Sequence, residues 1–268
     1  MTSFEWRKDI VAARLKGVAG GKCVLWTPEQ AAQITDHVMR APESILRRAM
    51  AAKSPAQANA SPLLTVKYAA NSSTSLTWAA KLTDETVDSQ NDVVKVDTWD
   101  LSRCLSNFPA LFSHDPEQLV GQWSYPIKAG GALLAASTFP AEGVSALSDQ
   151  VRGMLAANVL RGVSVAFIAG KFEFSKDPAR PMGINFLSGH QMVEASFCSI
   201  PANPAALVIG PTSAKALDDY AISARQAEVA NLRSSLGKSS RWAKSRPASM
   251  TREQRLEEAR RIINEARR

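Results

Sequence analysis

Three short polar islands, each set in apolar β-like sequence, constrain this chain more than any other feature. In order they are Leu111-Phe112-Ser113-His114-Asp115, then Arg161-Gly162-Val163-Ser164-Val165-Ala166-Phe167, then Val193-Glu194-Ala195-Ser196-Phe197-Cys198-Ser199-Ile200-Pro201-Ala202-Asn203-Pro204. A strand that carries a polar group into a core must give that group a partner. Each island alone has an ordinary structural reading. His114 can bond backbone at a strand end, Ser164 can bond its own backbone, and Glu194 can pair with a lysine or arginine. Together they supply the residue types of nucleophilic catalysis: a serine to attack, a histidine to take its proton and a carboxylate to orient the ring. Alternation puts Ser164, Ala166 and Ile168 on one strand face and Val163, Val165 and Phe167 on the other. This is not the Gly-x-Ser-x-Gly elbow of α/β-hydrolases, because Ala166 stands in the last place.

The texture around these islands divides the chain. Residues 1–50 read as helical, with a helix opening at Thr27-Pro28, where Thr27 caps and Pro28 suits the first turn. Residues 51–62, rich in Ala, Ser, Asn and Pro, read as a linker. Strand-like runs follow at 63–68, 75–80, 93–96, 110–114, 118–127, 131–138, 163–169 and 191–200, with a polar turn at 84–92 and a hairpin turn at Gly130-Gly131. Residues 97–108 read as a helix capped by Asp97 or Thr98. Residues 145–157 have helical spacing, with Leu147, Val151, Met154 and Leu155 on one face. Residues 176–181 form a charged, proline-containing loop. Beyond residue 213 the chain reads as an Ala-rich helix at 214–236, a basic disordered stretch at 237–249 and a last helix opened by the capping-box pattern Thr251-Arg252-Glu253-Gln254. Leu256, Ala259, Ile263 and Ala266 make a narrow seam along that last helix. The expected organisation is a helical N-terminal extension and linker at 1–60, a β-rich domain with one or two helices at 61–210, and a basic C-terminal arm at 211–268.

Charge follows the same division. The chain's +7 is spread as about +4 over residues 1–60, about −3 over 61–210 and about +6 over 211–268. The central region offers no basic stripe, so a general nucleic-acid-binding core is not supported. No apolar run reaches the ~18 residues that span a bilayer, and the first residues lack the apolar stretch of a secretory signal. The three cysteines, Cys23, Cys104 and Cys198, have no Cys-x-x-Cys spacing, which argues against a disulfide framework or a zinc site and suits a reducing compartment. Cys198, inside an apolar run, reads as a core thiol, and His37 as a surface residue.

Across roughly residues 74–210 the ordered pieces resemble the tailed-phage prohead protease family, the assemblin-like serine proteases that mature viral capsids. The pieces are Asn91-Asp92-Val93-Val94, the run from Asn107 through His114-Asp115, Leu119-Val120-Gly121-Gln122-Trp123, the helix at 145–157, the strand around Ser164, and Glu194-Ala195-Ser196-Phe197 with Pro201-Ala202-Asn203-Pro204-Ala205. The polar turn departs from the family's Asp-Arg-x-Gly-Asp, reading Asp88-Ser89-Gln90-Asn91-Asp92, and Ala166 stands where the family often has Gly. The resemblance implies an α+β, β-rich fold, an assemblin-like β-barrel flanked by helices, with helical or disordered arms. It implies Ser164 as nucleophile, His114 as general base and Glu194 as third member, and no metal or organic cofactor. Arg161 or a backbone N–H near Gly162 are candidates for the oxyanion hole. Herpesvirus assemblins use a second histidine in the third position, which makes His190 the alternative to Glu194; four residues apart, the two share a face in a continuous strand. The implied substrates are the major capsid protein and the scaffold protein, cut in the host cytoplasm inside the assembling procapsid. A homo-oligomer fits, with no membrane and no specific nucleic acid as partner. The alternative is a non-catalytic capsid-assembly protein that retains the fold.

Overall fold

Local chemistry accounts for the helices of the computed structural model, which describes residues 3–16, 18–19, 22–51 and 77–212. They are α1 (Ser3–Leu15), α2 (Pro28–Arg40), α3 (Glu43–Ala51) and α4 (Ala146–Ala156). Thr27 caps α2 in a reciprocal box with Gln30, leaving Ile34 and Val38 one turn apart on the buried face. Ser145 caps α4, its Oγ accepting from the Ser148 N–H at 3.3 Å, and Val151 and Leu155 go inward. The helix expected over 97–108 is instead irregular chain with a 3₁₀ turn at Ser102–Leu105. Leu101, Cys104 and Phe108 keep a helical spacing, but buried Trp99 falls on the opposite side, and the Asp100 N–H donates to the His190 carbonyl while its own carbonyl accepts from Met192 N–H. Asp100 is drawn into a bridge with Gln191.

The strands are β1 (Val18–Ala19), β2 (Lys22–Leu25), β3 (Thr77–Asp84), β4 (Val93–Val94), β5 (Pro109–Phe112), β6 (Asp115–Trp123), β7 (Ile127–Ala129), β8 (Ala132–Thr138), β9 (Gly162–Ile168), β10 (Lys171–Phe174), β11 (Ile184–Ser188), β12 (Gln191–Cys198) and β13 (Val208–Pro211). The architecture is α+β and sheet-rich. The larger sheet runs β1-β2-β9-β12-β5-β6-β8-β3-β13, with β7 on β8, and a smaller one runs β10-β11-β4. The ladder does not close into the continuous barrel expected. The two ends of its path from β9 to β13 meet at one antiparallel bridge, Gly162 to Leu207, with Val163 N–H donating to the Ala206 carbonyl and Val208 N–H to that of Arg161. Gly130 and Gly131 turn the β7–β8 hairpin with φ of 57° and 71°, the left-handed pair that a two-residue loop requires.

Residues expected as a purely helical extension supply a strand. β2 pairs in parallel with β9 from Cys23–Ala166 to Leu25–Ile168. Trp26 packs on Phe172 and Phe186, and Ile34, Val38 and Leu46 join the same hydrophobic cluster as Phe167 and Phe197. Fully burying each such side chain contributes about 1.5–3 kcal/mol. Arg14 on α1 enters the polar turn between β3 and β4, donating to Asp92 Oδ1 at 2.6 Å and to the Gln90 and Met182 carbonyls. The turn itself is tied by Asp88, whose Oδ1 accepts from the Gln90 and Asp92 N–H groups. After β12, Asn203 donates to Asp84 Oδ1 at 3.0 Å, and Ser89 N–H donates to the Ala202 carbonyl. The Pro-Ala-Asn-Pro run thus holds the exit of β12 to the acidic turn. No helix among the described residues is long and apolar enough to cross a membrane. The expected linker, the strand at 63–68 and everything expected beyond residue 212 lie outside the described residues.

Candidate active site

The β5–β6 hairpin carries the histidine. Phe112 pairs with Asp115, so Ser113 and His114 form the two-residue loop between strands. Both are left-handed, with φ of 56° and 61°. Most non-glycine residues avoid this conformation, although His tolerates it better than β-branched types do. His114 therefore lies in the turn and not at the end of a strand, and Asp115-Pro116 begins the return strand. Pro116 is tolerated because β8 pairs with β6 only at Gln122 and Trp123, leaving no ladder bond there for it to break. Asp115, next to the histidine in sequence, is used elsewhere: its carboxylate accepts from Glu117 N–H and Gln118 Nε2.

The carboxylate that meets the ring comes from 80 residues away. His114 Nδ1 and Glu194 Oε1 are 2.5 Å apart, with side chains 2% and 7% exposed. The imidazole is thus inside although its backbone is at a loop tip. Glu194's other oxygen, Oε2, accepts from Ser196 Oγ at 2.7 Å, and Ser196 Oγ accepts from the His114 main-chain N–H at 3.0 Å. With a carboxylate on Nδ1, that nitrogen carries the proton and Nε2 is the ring's accepting side. Sequence reasoning passed over Ser196. Its two-residue offset from Glu194 was the available signal, since it puts both side chains on one face of a strand.

Ser164 is buried on β9, directly opposite Ser196 in the antiparallel β9–β12 ladder. Directly opposed residues point to the same face with Cβ atoms about 4.5–5.5 Å apart. Glu194 opposes Ala166 in the same ladder, and Ala166 opposes Cys23 of β2. Ser164, Ser196 and Glu194 therefore share one face, with His114 brought to it by the β5–β6 hairpin. Gly162, at the start of this strand, is required by close approach: a Cβ there would meet the Cys198 carbonyl and lie 2.8 Å from Pro201 Cδ. Of the oxyanion candidates, Arg161 is exposed, and the N–H of Val163 is committed to the Ala206 carbonyl.

His190 is elsewhere. The strand between it and Glu194 is not continuous: Met192 opposes Phe167 but Glu194 opposes Ala166, so a bulge at Val193 intervenes. A bulge of one residue reverses the facing of everything beyond it. His190 accordingly sits among Trp99, Phe167 and Phe186, fully buried, and burial pushes its pKa down to about 4. His37 is at the surface as expected, stacked on Phe174 with ring centroids 3.5 Å apart. Burial pushes the thiols of Cys23, Cys104 and Cys198 up to about 11, 11 and 12, with Glu194 adding to the shift at Cys23 and Cys198. Thiols held protonated are poor nucleophiles, and Cys198 is a core thiol as its context implied. No cluster of three or more metal-ligating side chains occurs among the described residues.

No family model and no curated protein matches this chain. Solved structures do. Kaposi's sarcoma-associated herpesvirus protease in complex with a dimer disruptor is 12% identical, matching over 70% of this chain and 89% of that one with a TM-score of 0.31. The same virus's protease in complex with an allosteric inhibitor is 11% identical, over 70% and 91%, with a TM-score of 0.29. Its complex with a hexapeptide phosphonate inhibitor is 11% identical, over 70% and 76%, with a TM-score of 0.32. The likeness assigns no role to any side chain of this chain.

Proposed function

We propose that this chain is a serine endopeptidase that cuts capsid or scaffold protein during maturation of a phage prohead. The observation that carries the chemistry is the buried His114–Glu194 pair, set on the face of the β9–β12 ladder from which Ser164 points. In this reading His114 Nε2 takes the proton of Ser164 Oγ as the hydroxyl attacks a peptide carbonyl. The resulting imidazolium is stabilised by Glu194, which also holds the Nδ1–H tautomer. His114 then returns the proton to the leaving amine, and water deacylates Ser164 by the same route. The biological setting rests on the order of the sequence pieces and their resemblance to prohead proteases. The basic segment from about Lys215 onward is read as an arm that docks on scaffold and raises the enzyme's concentration inside the assembling shell.

The decisive experiment combines a fluorophosphonate probe with a co-expressed capsid and scaffold substrate. Labelling at Ser164, and cleavage that Ser164→Ala abolishes while the fold persists, is the expected result. Normal maturation with Ser164→Ala would reduce the protein to a non-catalytic assembly factor. For the arm, a truncation ending near Gly210 should fold and cut a peptide yet be poorly incorporated into procapsids. Unfolding, or normal incorporation, would remove the arm reading.

A further inference from the structure

We infer that Ser196 is a positioning residue for the His114–Glu194 pair: one hydroxyl fixes both the orienting carboxylate and the backbone of the base. The inference rests on the protease reading of this site, to which it adds a fourth residue. A hydroxyl has one proton to give and two lone pairs to receive with. The atoms around Ser196 Oγ leave no choice about how these are used. The His114 main-chain N–H can only donate, and an ionised Glu194 can only accept. The proton of Ser196 therefore lies toward Glu194 Oε2 at 2.7 Å, and a lone pair faces the His114 amide at 3.0 Å. That also separates the two serines of the ladder, because the Ser196 proton is spent on a carboxylate and not offered to a ring nitrogen.

Two consequences follow for the base. First, the carboxylate is held at both oxygens, Oε1 by the imidazole and Oε2 by Ser196, so its plane cannot rotate away from Nδ1. Second, the strained loop is held from β12 at two successive amides: Ser113 N–H donates to the Phe197 carbonyl at 2.9 Å, and His114 N–H to Ser196 Oγ. Left-handed non-glycine residues cost on the order of 1–3 kcal/mol each and persist only where surroundings over-determine them. The backbone of β12 beneath is itself pinned, since Trp123 Nε1 donates to the Ala195 carbonyl at 2.8 Å. Ser196 is 0% exposed, so the bond from its hydroxyl to Glu194 is shielded from water and at its strongest. A residue whose only task was to satisfy a buried carboxylate would not need to touch the base's own backbone.

The test uses the full chain as wild type, Ser196→Ala, Ser196→Cys and Ser164→Ala. The first readout is the low-field proton resonance of the His114 Nδ1–H···Glu194 bond, and the second is the rate at which a fluorophosphonate acylates Ser164. Loss of the hydroxyl should broaden or abolish the resonance in folded Ser196→Ala and slow acylation about 10- to 100-fold, by analogy with the loss of an outer hydrogen-bond partner of a metal-binding histidine or carboxylate. The near-isosteric Ser196→Cys, a weak donor, should fall between Ala and wild type, and it carries the test if Ser196→Ala does not fold. A variant that keeps the resonance and acylates within twofold of wild type overturns the inference, as does a wild type with no such resonance. If wild type is not acylated at Ser164, the protease reading fails, while the resonance in Ser196→Ala still decides what Ser196 holds.

Discussion

Two buried histidines flank strand β12 and could hardly be treated more differently. His190, one residue before the strand, is ringed by Trp99, Phe167 and Phe186, its Nδ1 has no hydrogen-bond partner among the described residues, and Nε2 has Thr98 Oγ1 at 3.4 Å. His114, set against the other end of the strand, has a carboxylate 2.5 Å from Nδ1. Both rings are withdrawn from water. Burial alone makes an imidazole neutral and unreactive, which is the state of His190. A carboxylate on one nitrogen makes the other a base and gives the protonated ring somewhere to put its charge. The difference traces to one extra residue in β12, the bulge at Val193 that turns Glu194 to the face where His114 and Ser164 are found.

The largest expected effect separates the two rings directly. On the proposed protease reading, His114→Ala should lower peptide cleavage by on the order of 10⁴–10⁶-fold, whereas His190→Phe, an aromatic in an aromatic setting, should cleave within twofold of wild type. Steady-state kinetics on both variants would break the comparison if the ranking came out reversed. Glu194→Gln should follow, with a loss of about 10⁴-fold in kcat and little change in KM, because an amide no longer dictates which ring nitrogen is protonated. An unchanged kcat would take Glu194 out of the site.

A third effect belongs to His190 alone and is read in stability. Its pKa falls from 6.5 to about 4 on folding, chiefly by burial, with the Lys95 backbone opposing. Above pH 6.5 the ring is neutral in both states, and its contribution is fully present. As pH falls from 6.5 toward 4 the unfolded chain binds the proton and the folded one does not, so stability drops by about 3 kcal/mol over that window and no further below it. Urea unfolding at pH 7 and pH 4.5 should show a smaller difference in His190→Phe than in wild type; equal differences would mean the ring is not caged as described. The smallest effect is at the loop beside His114. Ser113→Gly should stabilise the protein by up to about 1 kcal/mol by relieving a left-handed residue, visible as a small rise in Tm. A fall in Tm would mean that the loop is held by more than its backbone.

The parts of the fold that were legible in the sequence are those with local causes. The Thr27 cap, the Gly130-Gly131 turn, the 145–157 helix and the strand around Ser164 follow from side chains acting on their own or adjacent backbone, and each appears within a residue or two of its expected place. The stretch at 97–108 has helical spacing at Leu101, Cys104 and Phe108, but its backbone at Asp100 bonds His190 and Met192, some ninety residues later. The strand β2 was misread because its reason to be extended is β9, more than a hundred residues later.

The same division holds at the site. The amino-acid order is enough to say which residues could do chemistry: a histidine, a serine and a carboxylate, each set in apolar surroundings that demand a partner, and in a fixed order along the chain. Which carboxylate meets which ring is set by how the strands pack. Asp115 is adjacent to His114 and does not serve it, and Glu194 is 80 residues away and does. His190 is four residues from Glu194 and faces the other way. The physical reason is that composition and period describe a strand as if it were continuous, whereas a bulge, a left-handed loop and a parallel register are set by what the strand packs against. In this chain those three features turn Glu194, His114 and Ser196 toward one another.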